Sequence, residues 1–386
     1  MALTLTPELT FLVGVAVFWT ILYIVAYIFH LDKRGLEVKP AFFMYRSKAL
    51  NSSIDALAKR APKLWITLSN MGLAFSIGLM AYAFYFLINN LLRFSQEGDI
   101  GYVAIPIPGL TLSLYWLPFF LFAIVVIILP HELAHGIMAR VENIPVLSTG
   151  VAAMLVFFGA FVEPDEKEFE KASLTARLRM LSAGSSTNLV TALLTLMLLT
   201  GLFAAPSGLL IQETIADGPV DRAGLERWDV IQAINGTPIA TYADFAGYMR
   251  GVKAGANLTL TVLKDNRATD VFITTAADPE NKSRAIIGLN TGFGASYQPN
   301  KLGLEQYTGV NLYWTLFWTW VFAFSVAVFN MLPLYPFDGE RVAYYPLERF
   351  VGKRKKELRI GLSAFTLGLF ALNIILSIWR YGLLAF

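Results

Sequence analysis

Apolar positions along this chain gather in long unbroken stretches, near residues 9–29, 65–92, 115–139, 179–204, 308–332 and 360–383. A helix of about 20 residues crosses the roughly 30 Å hydrocarbon layer of a bilayer, and each stretch is long enough for one. The pattern predicts a polytopic α-helical membrane protein with about six transmembrane helices. The third stretch is the least regular, because Pro118 and Pro130 interrupt it and His131, Glu132 and His135 close it. Ionisable groups at membrane depth are costly and face a protein interior or a water-filled cavity, so the irregularity marks a candidate site.

Between the third and fourth stretches, Ile144 to Val162 is apolar and rich in Val, Phe and Gly, yet too irregular for another crossing. Non-helical backbone at this depth must be satisfied by protein or by an aqueous cavity, which favours a re-entrant β-hairpin. Glu163 to Arg179 mixes charges with Phe169, Leu174 and Leu178 and reads as an interfacial helix. Residues 205–307 are of a different material. They are polar, with short β-branched runs at Leu258–Leu263 and Val271–Ile273 separated by Asp265 and Asn266, the pattern of a small soluble domain. The expected division is an N-terminal membrane region with four spans at 1–204, the soluble domain at 205–300, and a membrane region with two spans at 301–386.

Composition agrees with the pattern: 56% of residues are hydrophobic and 15% charged, against roughly 25% charged in soluble domains. The first eight residues lack Lys and Arg, so the first stretch reads as a retained span and not as a cleaved signal peptide. Lys33, Arg34, Lys39, Arg46, Lys48, Lys59, Arg60 and Lys63 follow the first span, and Lys353 to Lys356 with Arg359 precede the last. Both basic segments should be cytoplasmic. That topology puts the termini and the soluble insert outside, and the His131 end of the third span on the cytoplasmic side with Asp338. The net charge of +3 is small and forms no isolated basic stripe, which argues against a nucleic-acid partner.

His131, Glu132 and His135 form an HExxH pattern. Two histidines four apart share one helical face and can hold one metal, with the glutamate placed to take a proton from water. A zinc ion lowers the pKa of such a water from about 15.7 to about 7, so the implied chemistry is hydrolysis of a peptide carbonyl. A catalytic zinc takes three protein ligands and keeps one position open. Cysteine is absent, and the third and last histidine, His30, belongs to the far end of the first span. The better candidate is Asp338, which follows a proline-broken apolar segment at the same depth; an Asp before a turn Gly is also common in ordinary loops.

Together these residues resemble the site-2 protease family of intramembrane zinc metalloproteases. The likeness rests on the HExxH at 131–135, on Asn330, Pro333, Pro336, Asp338 and Gly339, and on Ala183–Asn188 at the start of the fourth span. Phe337 stands where that family usually has Leu, and Ser185 where it usually has Pro. The resemblance implies that His131, His135 and Asp338 bind Zn2+, that Glu132 is the general base, and that substrates are transmembrane segments of other proteins. It also places Asn188 near the site, either as a donor to the oxyanion or as an amide bridging two helices. Asn330, and Val156 and Phe157 in the hairpin, are the expected substrate contacts. An unwound substrate segment could pair with that hairpin as an added strand.

Within the insert, Asp217 to Leu225, followed by Trp228–Ile231 and Ile234–Gly236, resembles a PDZ domain of membrane and periplasmic proteases, with Trp228 in place of the usual Gly. The expected fold is therefore a helical membrane core with a re-entrant hairpin and a small α+β PDZ-like domain. That domain either binds a peptide or fences large ectodomains away from the membrane. Two rival readings stand beside the protease. One is a membrane-anchored peptide-binding scaffold with an inert core, although neither Glu132 nor a ligand has been lost. The other is a prenyl-protein-processing metalloprotease, whose third ligand is a downstream Glu on a helix and not an Asp after prolines. The expected location is a prokaryotic plasma membrane.

Overall fold

The computed structural model describes residues 7–96, 101–155, 157–279, 281–290 and 295–382. In chain order it begins with α1 (Pro7–Ile28), β1 (Leu36–Lys39), β2 (Phe42–Ser47), α2 (Asn51–Arg60), α3 (Pro62–Ser95) and α4 (Leu117–Val141). Then come β3 (Val146–Met154), β4 (Phe157–Pro164), α5 (Glu166–Lys171) and α6 (Leu174–Leu202). The insert holds β5 (Leu209–Leu210), β6 (Glu213–Thr214), α7 (Pro219–Arg222), β7 (Val230–Ile234), β8 (Thr237–Pro238), α8 (Tyr242–Met249), β9 (Asn257–Lys264) and β10 (Arg267–Thr274). Three helices follow: α9 (Gln306–Phe329), α10 (Asp338–Val351) and α11 (Lys355–Tyr381).

Among the described residues, six segments are long and apolar enough to cross a bilayer: Leu9–Ile28, Pro62–Ser95, Leu114–Val141, Leu174–Leu202, Gln306–Phe329 and Lys355–Tyr381. They agree with the hydropathy pattern. α4 runs unbroken through Pro130, so the HExxH residues stay on one helix.

The structure adds to the hairpin expected at Ile144–Val162. β3 and β4 do pair antiparallel, with Val151 opposite Ala160, but they are half of a four-stranded sheet in the order β1-β2-β3-β4. β2 lies beside β3 with Tyr45 opposite Val151. Leu36–Lys39 and Phe42–Ser47 are short, and their lysine and arginine read as topology signals, which hid their pairing. The tip of the hairpin is tied to α1, where Trp19 Nε1 donates to the Leu155 carbonyl over 2.8 Å.

The interfacial helix expected over Glu163–Arg179 is split. Asp165 caps α5 by accepting from the Lys167 and Glu168 amides, and Ser173 Oγ then accepts from the Ala176 amide at the start of α6. Residues 174–179 are thus the first turns of the fourth span.

The chain forms two compact units, residues 1–194 with 318–385, and residues 195–317. In the second, β10-β9-β7-β5 form a sheet with β8 added on β7. β9 and β10 meet at Asp265 and Asn266, both at positive φ, as a two-residue hairpin turn requires. Aliphatic side chains fill its core, among them Leu209, Ile211, Ile231, Ile234, Leu260 and Val262. Gln306, at the start of α9, is tied into this unit: its side-chain amide donates to the Trp228 and Leu263 carbonyls and accepts from the Asn266 amide.

Candidate metal centre

α4 brings His131 and His135 onto one face, with their rings edge to face and centroids 4.8 Å apart. Asp338 reaches the same place from the first turn of α10. Its approach depends on the residues before it. The 330–337 segment turns through Leu334 N–H to the Leu332 carbonyl and Phe337 N–H to the Leu334 carbonyl. Gly339 N–H then donates to the Asn330 carbonyl over 2.9 Å. A Cβ on Gly339 would overlap the Met331 main chain, so the Asp-Gly pair is a close-approach device and not simply a loop turn.

Ligand-type atoms of His131, His135 and Asp338 converge within 4.8 Å of one another. The two Nε2 atoms are 3.2 Å apart, and Asp338 Oδ2 lies 3.1 Å from His135 Nε2 and 3.7 Å from His131 Nε2. Ligands at about 2.0–2.1 Å around a tetrahedral ion stand about 3.3–3.4 Å from one another, and the three separations bracket that edge. The hydrogen bonding points the same way. His135 Nδ1 is 2.7 Å from the Met180 carbonyl, which can only accept, so Nδ1 carries a proton and Nε2 is the ring nitrogen turned inward, free to serve as a ligand once its own proton is absent. There it meets a carboxylate and a second imidazole. Three atoms of ligand type facing one another, two of them on buried histidines, fit a cation between them.

α6 closes the site from the other side. A Cβ on Gly184 would overlap both imidazoles, so α6 can lie this close to α4 only because that position has no side chain. Asn188 is fully buried, with Nδ2 2.9 Å from His131 Nδ1. Asn330 Nδ2 donates to Asp338 Oδ2 over 2.7 Å and to Ser185 Oγ over 3.3 Å, and lies 3.4 Å from His131 Nε2.

Glu132 points to the sheet. Its Oε2 accepts from the Val162 amide of β4 over 3.0 Å. Because that N–H faces away from β3, the two-residue alternation turns the Phe158 and Ala160 amides to the same outer side. Beside this edge, an apolar cavity of about 460 Å3 lies among α1, α4 and the β3–β4 hairpin, lined by Phe18, Trp19, Ile128, Leu129, Leu155 and Phe158. Leu129 is three residues before Glu132 on α4, close to one helical turn.

The structure therefore brings together His131, Glu132, His135, Asn188, Asn330 and Asp338. Val156 lies outside the described residues; Phe157 opens β4. His30 is exposed after the end of α1, outside the cluster. Sequence reasoning assigned no role to the Met180 carbonyl or to the gap at Gly184. Their signal was the spacing 180, 184, 188, one stripe of a helix that already carried Asn188.

A family model described as peptidase family M50 matches residues 119–374. Over 383 residues the chain is 28% identical to an uncharacterized protein of Methanocaldococcus jannaschii, covering 95% of this chain and 94% of that protein. A shorter match, 34% identical over 102 residues, is to a probable periplasmic serine endoprotease, DegP-like, of Pseudomonas putida; it takes in 26% of this chain and 21% of that protein. The solved PDZ domain of an SdrC-like protein of Listeria monocytogenes aligns with 22% of this chain and 90% of its own length, at 19% identity and a TM-score of 0.21.

Proposed function

This chain belongs to peptidase family M50, the site-2 type of metallopeptidase, and from that premise we propose that it is a zinc endopeptidase cutting peptide bonds within or next to transmembrane segments of other membrane proteins. The observation that carries the reading is the buried triangle of His131 Nε2, His135 Nε2 and Asp338 Oδ2 at the end of an apolar helix. These three residues would hold the ion. Bound there, zinc supplies Lewis acidity toward water and the peptide carbonyl.

The remaining work falls to the chain. Glu132 takes the proton of the attacking water on its carboxylate and returns it to the leaving amine. Asn330 keeps Asp338 Oδ2 in place through its 2.7 Å hydrogen bond and, half-buried, is the residue to which we assign contact with the substrate. A transmembrane helix hides its peptide groups in its own hydrogen bonds, so the substrate must unwind before it can react. The outward amides of Phe158 and Ala160 offer replacements, and pairing along β4 leads an extended segment toward Glu132. The apolar cavity next to that edge suits its side chains.

The basic clusters support a reading in which this site lies near the cytoplasmic face, in a prokaryotic plasma membrane, and the PDZ-like insert is extracytoplasmic. Peptide ends of substrate ectodomains are the ligand class that insert would take by strand addition.

The test is purification in detergent, zinc per chain, and cleavage of single-span model substrates beside Glu132→Gln, Asp338→Asn and Ala160→Pro. We expect about one zinc in the wild type, a Glu132→Gln variant that keeps metal and does not cleave, and an Asp338→Asn variant that loses metal. Ala160→Pro should keep metal and lose most cleavage, and full activity there would end the strand-addition step. A wild type without zinc, or a Glu132→Gln variant as active as wild type, would leave the inert-core scaffold as the better account.

A further inference from the structure

Resting on the reading that His131, His135 and Asp338 hold zinc, we infer that Asn188 is a positioning residue whose amide oxygen accepts the Nδ1 proton of His131 and so presents Nε2 to the metal. The ligand triangle is made by the Nε2 atoms of both histidines. A neutral imidazole that offers Nε2 as a lone pair carries its proton on Nδ1, and that proton needs an acceptor. For His135 the acceptor is the Met180 carbonyl at 2.7 Å. For His131 the neighbour is the Asn188 amide at 2.9 Å.

That amide now faces His131 with Nδ2, while its Oδ1 is buried without a hydrogen-bond partner among the described residues. Two N–H groups cannot bond to each other. Half a revolution about the Cβ–Cγ bond puts Oδ1 where Nδ2 stands, keeps the contact length, and gives both the orphaned oxygen and the Nδ1 proton a partner. An amide's two ends are nearly the same size, so the turn needs no repacking, and it moves Nδ2 to the place Oδ1 now holds. One rotation thus gives the hydrogen-bond polarity that a metal on Nε2 of His131 demands.

The placement of the residue supports the same role. Met180, Gly184 and Asn188 are spaced four apart on α6, which puts them on one stripe. The stripe supplies an acceptor for His135, room for both rings at Gly184, and an acceptor for His131. One helix face therefore fixes the tautomer and orientation of both histidines. Asn188 has no exposed surface, and its amide lies against the imidazole. A donor to the oxyanion would have to reach a substrate carbonyl, whereas the polar neighbour of this amide is the His131 ring.

The test uses the full-length protein in detergent and the variants Asn188→Leu and Asn188→Asp. Zinc affinity is read by competition with a chromogenic chelator, the ligand field by the visible absorption of the cobalt-substituted protein, and turnover on a single-span model substrate. Losing such a partner weakens metal binding about 10–100-fold, so Asn188→Leu should bind zinc that much more weakly. Asn188→Asp, which keeps the acceptor and discards the donor, should hold zinc within a few-fold of wild type, reproduce its cobalt spectrum and still cleave. The inference is overturned if Asn188→Leu binds zinc as tightly as wild type. It is equally overturned if Asn188→Asp holds zinc normally but no longer cleaves, the signature of an oxyanion donor. Should Asn188→Leu fail to fold, the Asp variant alone decides. A wild-type protein without zinc would bring down the metal reading as well, whereas wild-type zinc with insensitive variants removes only the role of Asn188.

Discussion

The interior of the insert and the interior around α6 treat polar side chains differently. In the insert, the fully buried positions are aliphatic: Ile211, Val220, Ile231, Ile234, Leu260 and Val262 expose essentially nothing. Around α6 the fully buried positions include Ser182, Ser185 and Asn188, with Ser76, Thr366 and Ser377 on other spans, while Val190, Leu193 and Met197 are exposed. Water drives apolar groups inward in the first case. A bilayer is as apolar as leucine, so helices there associate through small residues and hydrogen bonds, and polar groups go inside because lipid cannot satisfy them. The comparison teaches why the metal centre sits where it does: the membrane interior is the part of the chain already committed to burying polar atoms.

The largest effect expected from this contrast is at Gly184. Replacement by Ala should cost the protein its zinc, at least about tenfold in affinity by analogy with other supporting contacts, because the methyl group falls on both imidazoles. Ala is the better helix former by about 1 kcal/mol, so metal loss could not be blamed on a weaker α6. Normal zinc content and cleavage in that variant would show that the helices are not held at this distance.

In the insert, Ile231→Ala should cost about 2–5 kcal/mol and appear as an earlier thermal transition, while zinc per chain stays the same. Loss of zinc together with the insert would break the separation drawn between the two interiors. Trp228 occupies a left-handed conformation, φ 78, where Gly is ordinarily found. Trp228→Gly should therefore move the insert's melting temperature little, because relief of about 1 kcal/mol of backbone strain is offset by the freer unfolded chain and by the lost packing of a half-buried indole.

Effects should also be small among the membrane polar contacts away from the metal. Asn373 Nδ2 donates to the Leu87 and Leu369 carbonyls. Because such bonds average about 0.6 kcal/mol in membranes, Asn373→Leu should shift stability by about that much in a detergent or denaturant titration. A loss of several kcal/mol would mean that polar burial in these helices is worth more than the contrast allows.

Much of this was legible in the residues alone, for identifiable reasons. Span positions followed from run length, the His131–His135 pair from helical spacing, and the β9–β10 hairpin from Asp265 and Asn266. β1 and β2 were missed because each is too short to carry a pattern of its own and is defined by its pairing with β3. The division of the Glu163–Arg179 stretch was missed because Ser173 as a cap looks like any other serine until the chain turns at it.

What the sequence determined by itself was what each element is made of: six apolar spans, a polar β-rich insert, and three residues of a metal motif on one turn of helix. Periodicity and turn chemistry are local properties, and the local stretch contains them whole. What only the tertiary structure decided was which elements meet and how closely. Asp338 reaches two histidines far behind it in the chain because Gly339 lets α10 start against the Met331 main chain. α6 meets those histidines because Gly184 leaves the space that two imidazoles fill. The direction of the Glu132 carboxylate, toward the outer amide of Val162, likewise depends on a strand that no local pattern ties to that helix. Contacts of this kind are settled by excluded volume and by the pairing of buried polar atoms across the fold, and neither is encoded in any one segment.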